Sequence, residues 1–142
     1  MVLALSISAC FALALDQITK GTVLARAGRN RHYPSGGWRP RVRPLLNRRL
    51  GLGLVRNRRT LLLVWTFAVS GTLLQIFLFD TFQTRAARIG LGVALGGATS
   101  NFLDFLLRGG VVDFIDVRIW PVFNIADALV ICGVGMTIWS IY

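Results

Sequence analysis

The chain has 142 residues, 54% of them hydrophobic, with a mean hydropathy of +0.61, which suits one domain and is too apolar for an ordinary soluble one. Charge is sparse and one-sided, with 16 Lys+Arg against 6 Asp+Glu and a net charge of +10; every acid is Asp, and Lys20 is the single lysine. The bases fall between apolar runs rather than on a polar basic module, so anionic lipid headgroups, not nucleic acid, are the expected counter-charge.

A membrane-spanning helix needs roughly 17–25 mostly apolar residues. The first stretch with that character runs from Met1 to Asp16, a predicted span over about residues 1–18. It contains Ile7-Ser8-Ala9-Cys10, which has the form of a lipoprotein-precursor cleavage site. The apolar run ahead of it is short, no basic residue precedes it, and the run continues past the cysteine, so a spanning helix is the better reading. Cys10 and Cys132 lack metal-ligand spacing and are expected as small core residues.

Residues 20–60 form a polar segment with 12 Lys+Arg and Pro34, Pro40 and Pro44. A small subdomain at the membrane surface with short strands around Leu45–Val55 is predicted there. Leu61–Phe79 carries no charge and is the cleanest span. A third span is expected over 89–107, where Gly92 and Gly96 form a GxxxG pair that lets helix backbones approach in lipid. Gly109-Gly110 closes it, and Val111–Ile115 is expected to run along the interface. Trp120-Pro121 marks the return at headgroup depth, and a fourth span covers about 122–142. The predicted fold is therefore an all-α membrane domain over 1–142. It has four transmembrane helices and a small β-containing loop subdomain between helices 1 and 2.

Alternating spans put Asp16, Asp104, Asp113, Asp116 and Asp127 on one side and Asp80 on the other. From Asp127 to Tyr142 is about 22 Å of helix, less than the roughly 30 Å core, so Asp127 is expected inside the near interface. Ionisable groups at such depth are functional candidates. Asn101 and Asp104 share a helix face at i,i+3, Asn124 and Asp127 repeat that spacing, and Arg108 lies one turn beyond Asp104. Two close carboxylates share a proton, and such a pair can activate water and protonate a leaving amine. A lone buried Asp can equally pair with Arg108 or cap a helix. The only histidine, His32, lies in the Arg-rich loop, so a His-based triad or zinc site has little support, and no metal or cofactor is expected.

Four segments resemble motifs of the lipoprotein signal peptidase (signal peptidase II) family. They are Asp16-Gln17-Ile18-Thr19-Lys20, Gly96-Gly97-Ala98-Thr99-Ser100-Asn101-Phe102-Leu103-Asp104, Val111-Val112-Asp113-Phe114-Ile115 and Phe123-Asn124-Ile125-Ala126-Asp127. The resemblance implies a bacterial plasma (inner) membrane aspartic peptidase with its site at the extracytoplasmic face. The implied substrate is a prolipoprotein carrying diacylglycerol on its cysteine, cleaved just before that cysteine. Asp113 and Asp127 would be the catalytic pair. Asp16, Lys20, Asn47, Asn101, Asp104, Arg108 and Asn124 would support the site or contact substrate. Membrane lipids would surround a monomer, and a globomycin-type inhibitor would be expected to bind.

The chain departs from the family pattern at three points. Phe105 stands where the family has Arg after the third-span Asp, with Arg108 one turn on. Ser100 replaces the Gly before Asn101. The family's NxGAAF-type segment is represented only by Asn47–Gly53, without Ala-Phe. These departures motivate an alternative, a catalytically impaired relative acting as a membrane lipoprotein-binding or adaptor protein. The positive-inside rule would put the basic loop in the cytoplasm; the four motifs, which imply the opposite side, are given more weight.

Overall fold

The computed structural model describes residues 2–27, 41–48, 65–67, 69–72, 74 and 84–140. Three helices and two strands are complete among them: α1 (Val2–Ala27), β1 (Arg41–Asn47), α2 (Arg85–Arg108), β2 (Val111–Asp116) and α3 (Ile125–Trp139). Residues 65–67, 69–72 and 74 are also helical, inside the second expected span. Asp80 and the loop beyond Arg48 lie outside the described residues.

Helix α1 runs nine residues past the expected end at residue 18. The charges of Asp16 and Lys20 do not stop it because they lie four apart, one turn of helix, and bind each other at 2.6 Å with no exposure. Both α1, from Leu3 to Ala27, and α2 are long and apolar enough to cross a membrane. α2 starts on a Thr84 cap, whose hydroxyl accepts from the Ala87 amide, and ends at Gly109, whose φ of 72° is left-handed backbone that glycine adopts without penalty. α3 begins at Ile125 rather than 122. Phe123 is held extended by a bridge to Ile115, and Asn124 then caps the helix.

Gly92 lies against Leu5 and Ser8, and Gly96 against Ala9 and Ala12; a Cβ at either would overlap the α1 backbone. The GxxxG pair therefore packs α1 onto α2, as expected. Residue numbers rise together along this contact, so the two helices are parallel, and the chain returns to the opposite end between Ala27 and Arg85. α3 is antiparallel to α2, with Gly97 against Ala126 and Gly90 against Gly133. Trp65 stacks on Phe102 at 4.6 Å, and both pack with Phe105 and Leu106.

The two strands form one antiparallel sheet, with Leu45 opposite Asp113 and Asn47 opposite Val111. The expected β-subdomain is thus not contained in the loop between the first two helices. Its second strand is the Val111–Asp116 segment, which buries Val111, Val112, Asp113 and Phe114 and needs a partner for its backbone. The register slips between Val42 and Leu45, where Pro44 has no N–H to give the ladder.

The burial pattern is that of a protein solvated by lipid. The most completely buried large side chains are Lys20, Asn124, Asp16, Asp104 and Ser100. Leu3, Ile7, Phe11, Ile131, Ile138 and Trp139 face outward. Cys10 and Cys132, expected in the core, are also exposed on α1 and α3. A small apolar side chain costs nothing against hydrocarbon, so the interior is left to the groups that need partners.

Candidate active site

Because α1 and α2 are parallel and α3 runs back along α2, the C-terminal halves of the first two helices meet the N-terminus of the third. Four of the five aspartates expected on one face converge there. The fifth, Asp116, ends β2, where it accepts from the Arg118 amide at 2.9 Å.

Asp16 and Asp104 are both paired with cations. The Lys20 ammonium lies 2.6 Å from Asp16 Oδ2 and 2.7 Å from Asp104 Oδ2. Asp16 also accepts from Ser100 Oγ at 2.7 Å and from the Ala126 amide at 2.8 Å. The second of these satisfies an otherwise unpaired N–H in the first turn of α3, where a negative charge is favoured by the helix dipole. Asp104 accepts from Gln17 Nε2 at 2.9 Å and the Val112 amide at 3.1 Å, and pairs with Arg108 Nη1.

Asp113 and Asp127 have different company. Asp113 Oδ1 accepts from Asn124 Nδ2 and its Oδ2 from Asn47 Nδ2, each at 2.9 Å. Asp127 Oδ1 accepts from Asn101 Nδ2 at 2.8 Å, and its Oδ2 from the Asn124 amide at 3.1 Å. The Asp127 amide donates back to Asn124 Oδ1 at 2.9 Å, completing a capping box. One side chain, Asn124, is therefore hydrogen-bonded to both residues. Among the described residues no cation pairs with either carboxylate, whereas Asp16 and Asp104 are both met by cations.

This environment sets the protonation of Asp113, which is 5% exposed. Burial is the largest influence and pushes its carboxyl up from 3.8 to about 6. The Asn47 hydrogen bond opposes the rise, the negative charge of Asp127 adds to it, and Asn124 and the Lys20 charge oppose it. A carboxyl balanced near 6 can hold or release a proton close to neutral pH.

All nine residues singled out from sequence are drawn into this cluster, including Asn47 from the divergent loop. It reaches Asp113 as the diagonal neighbour of its own partner, Val111. Arg108 sits on Asp104 as its i+4 spacing allows. Phe105 points away into the aromatic cluster and is 9% exposed. Two further members went unassigned from sequence. Gln17 donates to Ser100 Oγ and Asp104 and accepts from Arg108 at 3.2 Å. The Ser100 hydroxyl, where the family has Gly, binds Asp16. Both lay within quoted motifs, and a polar side chain one or four positions from a buried Asp was the available signal.

A family described as Signal peptidase (SPase) II matches residues 8–142. A lipoprotein signal peptidase of Moorella thermoacetica is 32% identical over 133 residues, covering 94% of this chain and 89% of that relative. One of Shouchella clausii is 33% identical over 136 residues, covering 95% and 90%. Two solved bacterial membrane enzymes share the fold. One has a TM-score of 0.75 at 23% identity, covering 94% of this chain and 84% of the other. The second has a TM-score of 0.72 at 27% identity, covering 94% and 89%.

Proposed function

Since the chain belongs to the signal peptidase II family, proteases of lipoprotein processing, we propose that it is an aspartic endopeptidase using Asp113 and Asp127 as a water-activating pair. Its substrate is a diacylglyceryl-modified prolipoprotein, cut just before the lipidated cysteine. One observation carries the assignment of roles. Of the four aspartates gathered here, Asp16 and Asp104 are neutralised by Lys20 and Arg108, while among the described residues Asp113 and Asp127 meet only neutral donors. The second pair is the one that keeps a proton to trade. The ionised member takes a proton from water, whose oxygen attacks the scissile carbonyl. The protonated member donates to the carbonyl oxygen, and the leaving amine takes a proton as the C–N bond breaks.

The departures that suggested an impaired relative lose their force. Arg108 supplies a cation at Asp104, and Asn47 supplies a donor at Asp113. The parallel pairing of α1 and α2 supports four crossings with the site at one end of the bundle. That end faces outward from a bacterial plasma membrane, where lipidated precursors emerge, and the chain acts there as a monomer open to a globomycin-type inhibitor. The test is cleavage of a diacylated precursor peptide by the purified protein. Asp113→Asn and Asp127→Asn are each expected to lose at least about 10³-fold in kcat, in the range of acid–base contributions. Either variant cleaving at the parent rate would overturn the assignment.

A further inference from the structure

Fifteen of the sixteen bases in this chain are arginine and one is lysine, Lys20. That lysine is buried with no exposure. Its ammonium has three N–H donors and three acceptors: Asp16 Oδ2 at 2.6 Å, Asp104 Oδ2 at 2.7 Å and Asn101 Oδ1 at 2.9 Å. The third contact has no charge to neutralise. It orients an amide.

Asn101 Oδ1 faces the ammonium, so its NH2 must face the other way, where Asp127 Oδ1 accepts at 2.8 Å. A flipped amide would set NH2 against the cation and oxygen against the carboxylate, both repulsive. The same oxygen accepts from Asn124 Nδ2 at 3.0 Å, and Asn124 Nδ2 also donates to Asp113 Oδ1. One buried cation thereby polarises two of the three side-chain amides that hold the two aspartates, the third being Asn47.

We propose that Lys20 is a positioning residue for the Asp113/Asp127 pair, acting through Asn101 in a geometry that arginine does not supply. The proposal rests on the dyad reading above. A guanidinium is planar and larger, with its donors in a fixed fork matched to bidentate carboxylates. It would satisfy Asp16 and Asp104 at the expense of the tetrahedral third bond.

The test is Lys20→Arg, which keeps the charge, assayed on a diacylated precursor peptide beside Asn101→Ala and the double variant. The expected result is at least a 10-fold fall in kcat with KM within about 2-fold and a melting temperature close to the parent's. Because Lys20 acts through Asn101, the double variant is expected to be no slower than Asn101→Ala alone. Parental kcat in Lys20→Arg, or losses that multiply in the double variant, would overturn the proposal. If Lys20→Arg fails to fold, Lys20→Met with Asp104→Asn removes one charge of each sign. That variant is expected to lose at least 10-fold in kcat, and parental kcat would overturn the proposal. Asp113→Asn and Asp127→Asn in the same series separate the two readings. Their retention of cleavage removes the dyad, whereas their loss with parental Lys20→Arg activity removes only the role of Lys20.

Discussion

Asn47 is the donor most exposed to a clean perturbation. Its Nδ2 gives Asp113 Oδ2 a hydrogen bond at 2.9 Å, and Asn47 itself lies at the exposed end of β1. That bond favours the ionised carboxylate, against the burial that pushes Asp113 up to about 6. A hydrogen bond to a charged acceptor contributes about 1.5–3 kcal/mol, and one pH unit corresponds to about 1.4 kcal/mol. Losing it entirely would raise the carboxyl by about one to two units. Water can reach an exposed donor's place and recover part of this, leaving about one unit. In Asn47→Ala the alkaline limb of kcat/KM, where Asp113 loses the proton that the pair must keep, should therefore move from about pH 6 to about pH 7. The assay is cleavage of a diacylated precursor peptide in lipid between about pH 5 and 8. The position of the limb is the readout, since the absolute rate also reflects any substrate contact made by Asn47. A limb that stays in place or moves to lower pH would refute the reasoning. The same raised value acts on stability. Protonated Asp113 is favoured in the folded state, so its contribution is present below about pH 4 and lost as the pH rises through 6.

Other substitutions probe the frame. Gly96→Val should separate α1 from α2 and abolish a cooperative melt in detergent, because its Cβ would overlap Ala9 and Ala12. Gly21→Ala, with nothing within 4 Å of its Cβ, should be neutral or stabilise by up to about 1 kcal/mol; equal behaviour of the two would contradict the packing. Asp16→Asn leaves Lys20 short of a charge partner and Ala126 with a weaker acceptor, and should cost about 3 kcal/mol in thermal or denaturant unfolding. Arg108→Gln should cost only about 1 kcal/mol, since Arg108 is 30% exposed and Asp104 keeps Lys20, Gln17 and the Val112 amide. A larger loss for Arg108→Gln than for Asp16→Asn would invert the ranking and count against these pairings.

Much of this site was legible in the chain itself. Spacing placed Asn101 with Asp104 and Asn124 with Asp127 on shared faces, because helical periodicity is local and needs no fold to compute. The same locality made the Gly92/Gly96 contact and the Arg108–Asp104 pair readable. Span alternation brought Asp16, Asp104, Asp113 and Asp127 to one end, because each crossing reverses direction.

Tertiary structure decided what locality cannot. Asp16 and Lys20 looked like the end of a helix, yet α1 continues through them, because they pair with each other and Asp104, Asn101 and Ala126 from other helices satisfy the rest of their hydrogen-bonding capacity. The Val111–Asp116 segment became a strand only because Arg41–Asn47, some seventy residues earlier, lies beside it. That pairing alone brings Asn47 to Asp113. The chain determined which carboxylates gather, through charge spacing and hydrophobic length. The fold decided which of them meet a cation and which meet only amides, because that depends on which group from a distant segment arrives at each oxygen.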